Sequence, residues 1–230
     1  MTIFPAFSAL QGGKNEKILK MLFARSVKYI LLATGPVVIV IWLFAGEMLH
    51  IWLGVDFVAE STSAMQILAV GVLINSLGQT PFAFLQGVGR PDLPAKFHLI
   101  ELPVYVALAW ILVSKFGIVG AAEAWTLRVA LDTFLLYWAT FRVYGFSLRL
   151  LNASRTMLAG ISLAILAAAG YGLKTVASSF SIYYQSLLVA GLLVIFTGFA
   201  WRCILDGSDR RAIVNMIKRK NLLVAAYDGQ

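Results

Sequence analysis

PFAFLQGVGRPDLPAKFHLIELP, residues Pro81 to Pro103, holds the end of one apolar segment, a Gly- and Pro-rich connection, and the start of the next. Gly87, Gly89, Pro91 and Pro94 punctuate the connection, and Pro81 and Pro103 each remove a backbone donor inside an apolar run. Such prolines are tolerated where neighbouring helices satisfy the freed carbonyl, as in a membrane. Glu101 then places a carboxylate just inside the second segment, where an ionisable group is costly and so points to function.

The rest of the chain follows the same pattern. Of 230 residues 60% are hydrophobic and 13% charged, with a mean hydropathy of +0.83, too apolar for a water-soluble globule and too long for one anchor. The expected fold class is all-α, a polytopic membrane helix bundle. Six segments are long and apolar enough to cross a hydrocarbon core, for which roughly 20 residues are needed. They run at 27–46, 63–86, 97–114, 118–141, 155–174 and 182–203. The third and fourth are separated only by a turn near Ser114 to Gly117, which predicts an antiparallel pair of neighbours. Gly35-Pro36 interrupts the first segment, and the charged, aromatic stretch EMLHIWLGVDFVAES after it reads as a loop, with Trp42 and Trp52 suited to a membrane interface.

Residues 1–26 divide into a short apolar stretch ending at Gly12-Gly13, without the basic region of a leader peptide, and a basic amphipathic segment. In that segment Lys14, Lys17, Lys20, Arg25 and Lys28 accompany Ile18, Leu19, Leu22, Phe23 and Val27. It reads equally as a helix lying on an anionic leaflet and as a basic lead-in to the first span.

Cation placement predicts orientation. Lys14 to Lys28, then Arg90 and Lys96, then Arg142, Arg149 and Arg155, then Arg202, Arg210, Arg211, Lys218, Arg219 and Lys220 fall in alternate loops. The opposite loops hold Lys115 and Lys174, together with Glu47, Asp56 and Glu60. The excess of cations on cytoplasmic loops then predicts a plasma-membrane protein with both termini in the cytoplasm. The Asn152-Ala153-Ser154 sequon falls on that side and is expected to be unmodified. The tail, 204–230, reads as a solvated basic end that fixes topology.

Four ionisable residues lie within the segments: Glu101, Glu123, Arg128 and Asp132. Arg128 and Asp132 are four apart on one helix, where an ion pair would lower the insertion cost. At roughly 1.5 Å of rise per residue, Glu101 on the antiparallel neighbour reaches a similar depth, so Glu101, Arg128 and Asp132 are expected to form one intramembrane charge cluster. Glu123 faces away from both by helical wheel. Two readings stand for Arg128 and Asp132: a structural lock between helices, or part of a polar path.

Chemistry is not expected. The chain has no GxSxG, DxD, P-loop or HExxH, and Gly87-Val88-Gly89 follows an apolar helix rather than a strand. No metal or cofactor is expected: His50 reads as an ordinary loop residue, and Cys203, the one cysteine, as an apolar filler. No nucleic-acid partner is expected either, because the net charge of +8 is distributed as topology determinants.

FPAFSALQGGKNEKI, HIWLGVDF, QGVGRPD, the ELP that opens a helix and FGIVGAAEAWTLRVALD resemble, as a set over about residues 3–145, the C-terminal part of bacterial polysaccharide biosynthesis proteins of the O-antigen flippase type. These belong to the multidrug/oligosaccharidyl-lipid/polysaccharide exporter superfamily. The resemblance implies two six-helix lobes about a central cavity, and turnover of a polyprenyl-diphosphate-linked saccharide between leaflets by alternating access. By it, residues 1–26 hold the end of one helix, 27–141 complete the C-terminal lobe with four spans, and 155–203 are an additional helix pair. The chain then lacks an N-terminal lobe, and is expected to be an incomplete fragment, inactive unless that lobe or another membrane subunit joins it. The expected partners are the lipid-linked oligosaccharide and membrane lipids. A hydrated diphosphate needs a cationic lining, for which Arg128 within the membrane and Arg90 and Lys96 at the inner mouth are the substrate-path candidates. The alternatives are a non-transporting membrane assembly subunit and half of a cation-coupled drug exporter, in which Glu101 holds a proton or cation.

Overall fold

The computed structural model describes residues 16–145, 154–177, 180–211 and 214–215, with side chains from Ile18. The described chain is helical: α1 (Glu16–Leu43), α2 (Ala45–Leu53), a 3-10 turn at Val55–Phe57, α3 (Val58–Gly87), α4 (Asp92–Tyr144), α5 (Thr156–Val176) and α6 (Ile182–Phe199), which ends in a π turn at Ala200–Ile204. Five of these helical stretches are long and apolar enough to cross a membrane. The apolar stretch before Glu16, the sequon's Asn152 and Ala153, Arg149 and the cations beyond residue 215 lie outside the described residues.

α4 is two helices. Straight, its 53 residues would reach about 80 Å. Instead Gly117 takes φ 57° and ψ −129°, a conformation open only to glycine, and the chain folds back. The register shows it: His98 lies 3.5 Å from Asp132, the Arg128 guanidinium stands 5.5 Å over the Tyr105 ring, and a Cβ on Gly120 would run into the Leu112 carbonyl. As one number rises the other falls, so residues 92–116 and 118–144 are antiparallel neighbours, as the short turn predicts.

The basic segment continues directly into the first span: α1 runs unbroken from Glu16, and Leu19, Phe23 and Val27 are buried against Phe84, Leu85 and Leu136. Apolar residues at helical spacing simply extend the helix. The expected loop after the span folds into α2, with Ala45 and Leu49 buried and Ile51 and Trp52 more than 80% exposed. An exposed Ile-Trp pair on a short helix suits a lipid-water interface.

α1 sits in the middle of the bundle. α3 packs on one side of it and α5 on the other, α4 packs most extensively on α3, and α6 on α5. Close approach comes from glycine. A Cβ at Gly35 would meet Leu163 at 2.6 Å and one at Gly170 would meet Leu43 at 2.7 Å, so α1 and α5 touch nearly backbone to side chain.

The α3–α4 seam is more specific. Thr126 and Thr133, two helical turns apart, each donate a 3.2 Å hydrogen bond, to the Ile67 and Ile74 carbonyls of α3. Gly71 and Gly78 follow those carbonyls by four residues, and a Cβ at either would stand 2.7 Å from the threonine hydroxyl. One further turn along, Pro81 has no N–H to give the Leu77 carbonyl, and the Tyr137 hydroxyl donates to that oxygen instead at 3.2 Å. Pro81 and Pro103 therefore both lie inside continuous helices rather than ending them.

The two ends of the α1–α5–α6 side are tied by charge. At one end Lys28, with no exposed surface, holds Asp209 at 2.5 Å, and the Tyr29 hydroxyl donates to the other oxygen of the same carboxylate. Asp206, next to it, pairs with Arg155 at 3.4 Å. At the other end Lys174 pairs with Glu47 at 2.7 Å, donates to the Leu43 carbonyl and covers the Phe44 ring. Burial alone would raise the Asp209 carboxyl above its ordinary range, but hydrogen bonds from Lys28, Tyr29 and the Asp206 N–H outweigh it and hold it below.

Three outcomes follow for detergent-purified protein. Tyr137→Phe lowers unfolding stability by about 0.5–1.5 kcal/mol, because the Leu77 carbonyl loses its donor; Gly78→Leu lowers it by more. Asp209→Asn removes about 3–5 kcal/mol, because Lys28 stays buried with only the more distant Asp206, at 3.9 Å, as counter-charge. Since the folded state depresses the Asp209 pKa, its contribution is present above the ordinary carboxylate range and lost as pH falls through the depressed value. A thermal-stability series against pH therefore shows wild type and Asp209→Asn converging only in strong acid; convergence near neutral pH would refute the assignment.

Candidate functional site

The hairpin of α4 brings three ionisable groups together at one level. His98 Nδ1 stands 3.6 Å from Glu101 Oε2 on its own arm and 3.5 Å from Asp132 Oδ1 on the other. His98 and Glu101 are three apart and share a helix face, while Phe82 of α3, its ring 6.1 Å away, packs beside the imidazole. Glu101 is 1% exposed, Asp132 17% and His98 41%, so the cluster is closed on one side and open on the other. The open side is a cavity of about 160 Å³ between α3 and α4, lined by Asn75, Gln79, His98, Arg128 and Asp132 among others.

Polar satisfaction is poor here. His98 Nδ1, both oxygens of Glu101 and Asp132 Oδ1 are buried without a hydrogen-bond partner. Buried polar groups normally have partners, and leaving one without costs about 1–3 kcal/mol. The bundle thus holds these groups in place without satisfying them, which is characteristic of a site rather than a scaffold.

Of the charge cluster expected from sequence, the structure brings Glu101 and Asp132 together at one level of the bundle and leaves Arg128 beside them. Arg128 does not pair with Asp132: its guanidinium lies over the Tyr105 ring, and among the described residues no carboxylate comes within 4 Å of it. Arg128 and Asp132 do line the same cavity. Arg90 and Lys96 form a separate group, both bonded to Asp92, with Arg90 Nε 2.9 Å from Oδ1 and Lys96 3.4 Å from Oδ2. By hairpin register Arg128 lies opposite residues near 104, so it stands about 18 Å along the helix from Asp92. Glu123 is half-buried near the Gly117 turn and belongs to neither group. His50 sits at the end of α2 and Cys203, half-buried, in the π turn; neither joins a cluster.

His98 is the residue that sequence reasoning missed. Its signal was present, a histidine three positions before a carboxylate on one apolar helix, but the third member comes from the other arm. The same is true of metal ligation. The sequence shows no ligand motif, whereas one atom each from His98, Glu101 and Asp132 lie within 4.8 Å of one another.

The chain matches the MatE family model over residues 5–111. It is 35% identical over 136 residues to a Shigella flexneri protein named "Putative O-antigen transporter", a match covering 59% of this chain and 32% of that protein. Over 134 residues it is 30% identical to the "Probable low-salt glycan biosynthesis flippase" of Haloferax volcanii, covering 58% of this chain and 28% of the relative. Over 120 residues it is 28% identical to an uncharacterized membrane protein of Methanocaldococcus jannaschii, covering 52% and 24%. The matched stretch is thus a third or less of each relative's length. No solved structure matches. The activities named among the relatives are transport and flipping, not enzyme chemistry, and this chain is a multi-pass membrane protein.

If the cluster is held at the expense of stability, filling its place with carbon stabilises the fold. Glu101→Leu is expected to raise the unfolding free energy in detergent at pH 7.5 by about 1–3 kcal/mol, since it removes an unsatisfied buried carboxylate. A drop of similar size in the unfolding transition would show that Glu101 is a structural partner instead.

Proposed function

We propose that the chain forms part of a path for turning over polyprenyl-diphosphate-linked saccharide units during cell-surface polysaccharide assembly. The observation that carries the reading is Arg128, a cation held at membrane depth on the wall of a polar cavity between α3 and α4, free of any carboxylate pair among the described residues. An anionic, hydrated diphosphate needs such a group, because the hydrocarbon around it offers neither charge nor water. Two relatives named for O-antigen transport and glycan flipping support the same reading.

In this proposal the two arms of α4 each cross the bilayer, making six crossings with α1, α3, α5 and α6. Both termini face the cytoplasm of a bacterial inner membrane. Residues 27–141 contribute four helices of one lobe, 155–203 an additional pair, and 204–230 a basic cytoplasmic tail. Arg90 and Lys96, gathered on Asp92, mark the cytoplasmic mouth, and Arg128 takes the headgroup further in. Alternating access needs a second body to rock against, so the chain works with an N-terminal lobe or another membrane subunit and does not transport alone.

In a strain lacking its O-antigen transporter, residues 1–230 alone should leave surface polymer absent, and fusion to the remaining helices of the Shigella relative should restore it. Arg128→Ala in that fusion is expected to lower polymer about tenfold or more, the loss of one charge-assisted contact. Full polymer from the chain alone would refute the need for a second body, and full polymer from the Arg128→Ala fusion would remove the cationic path. Topology is read separately: in a Cys203→Ser background, Lys115→Cys reacts with a membrane-impermeant thiol reagent from outside the cell and Lys96→Cys does not.

A further inference from the structure

We propose that His98, Glu101 and Asp132 form a binding site for a divalent d-block cation of the zinc class, bridging the two arms of α4. It does not depend on what the chain moves.

Distance is the first argument. Around a tetrahedral zinc with bonds of about 2.0–2.1 Å, ligand atoms sit about 3.4 Å from one another. His98 Nδ1 stands 3.5 Å from Asp132 Oδ1 and 3.6 Å from Glu101 Oε2, and all three ligand atoms lie within 4.8 Å of each other. Hydrogen-bonded pairs would close to about 2.7–3.2 Å, and here none forms: these atoms are buried and without hydrogen-bond partners. His98 stands from each carboxylate at the spacing of two ligands around one ion rather than of a hydrogen-bonded pair.

Glu101 gives the second, independent argument. Its side chain is 1% exposed, and both of its oxygens lack a donor. Arg128 does not supply the missing charge, since it faces Tyr105 and not a carboxylate. Two carboxylates side by side at membrane depth are unstable without compensation. One divalent cation cancels both.

Ligand chemistry selects the ion. Magnesium and calcium take oxygen ligands, whereas an imidazole with two carboxylates suits a borderline metal, zinc foremost. The cavity on the open side, with Asn75 and Gln79 on its wall, leaves room for a fourth ligand from water. Because His98 and Glu101 come from one arm and Asp132 from the other, an occupied site clamps the hairpin shut at this level.

The test uses the whole chain on a tag without histidine, purified in detergent, stripped with EDTA and titrated calorimetrically with Zn²⁺, with Co²⁺ as the spectroscopic probe. One Zn²⁺ per chain is expected, with the strong visible absorption of four-coordinate Co²⁺ and no competition from millimolar Mg²⁺. Glu101→Gln and His98→Asn should each weaken binding at least about 100-fold, while His50→Asn and Cys203→Ser leave it unchanged. Should Glu101→Gln fail to fold, His98→Asn decides, since that side chain is partly exposed. No stoichiometric uptake by the wild-type chain, uptake unchanged in His98→Asn, or uptake lost in His50→Asn or Cys203→Ser would each overturn the proposal.

Discussion

The Tyr137 hydroxyl donates to the one α3 carbonyl that Pro81 leaves without a backbone donor, and much of the polar architecture depends on that pairing of helices. In hydrocarbon an unpaired carbonyl has no water to turn to, so the proline is tolerated only where another helix brings a donor. Thr126 and Thr133 repeat the contact at the two preceding levels, through gaps left by Gly71 and Gly78. Together they fix the height and rotation of the second arm of α4 on α3. That rotation points Asp132 at His98 rather than at lipid.

α1 carries the other half of the arrangement. Phe23 and Leu19 pack against α3 and the end of α4, while Leu31, Leu32 and Ile39 pack against α5 and α6. The carboxylate of Asp209, from beyond α6, closes on Lys28 and Tyr29 of α1, and Lys174 of α5 closes on Glu47 and Leu43 at the opposite end. Charge at both ends with glycine contacts between them makes α1, α5 and α6 one packed unit.

The candidate site is the place where this economy of satisfied groups stops. The carbonyl freed by Pro81 and the buried Lys28 have each found a partner, yet Glu101, Asp132 and His98 meet without satisfying one another. Arg128 stands on the same cavity and turns to an aromatic ring. A bundle that holds acid, imidazole and guanidinium without ion-pair or hydrogen-bond partners around one small polar cavity has groups free to meet something that enters. That is the physical content shared by the saccharide-path reading and the cation-site reading, and the two use different residues.

By itself the sequence determined the helical, membrane-spanning character of the chain, the turn before Ile118 and the common depth of Glu101 and Asp132. Apolar length, a glycine between two apolar runs and the fixed rise of a helix are local properties, legible one segment at a time. The existence of α2 was misread because it depends on burial supplied by other helices. Only the tertiary structure decided which groups meet. Four residues of spacing put Arg128 and Asp132 on one face, but a side chain's partner is chosen by what the neighbouring helix presents: Tyr105 to the first and His98 to the second. Lys28 and Asp209, 181 residues apart, pair for the same reason. No spacing along the chain encodes the rotation of one helix against another, which comes from glycine gaps and unsatisfied carbonyls across a seam.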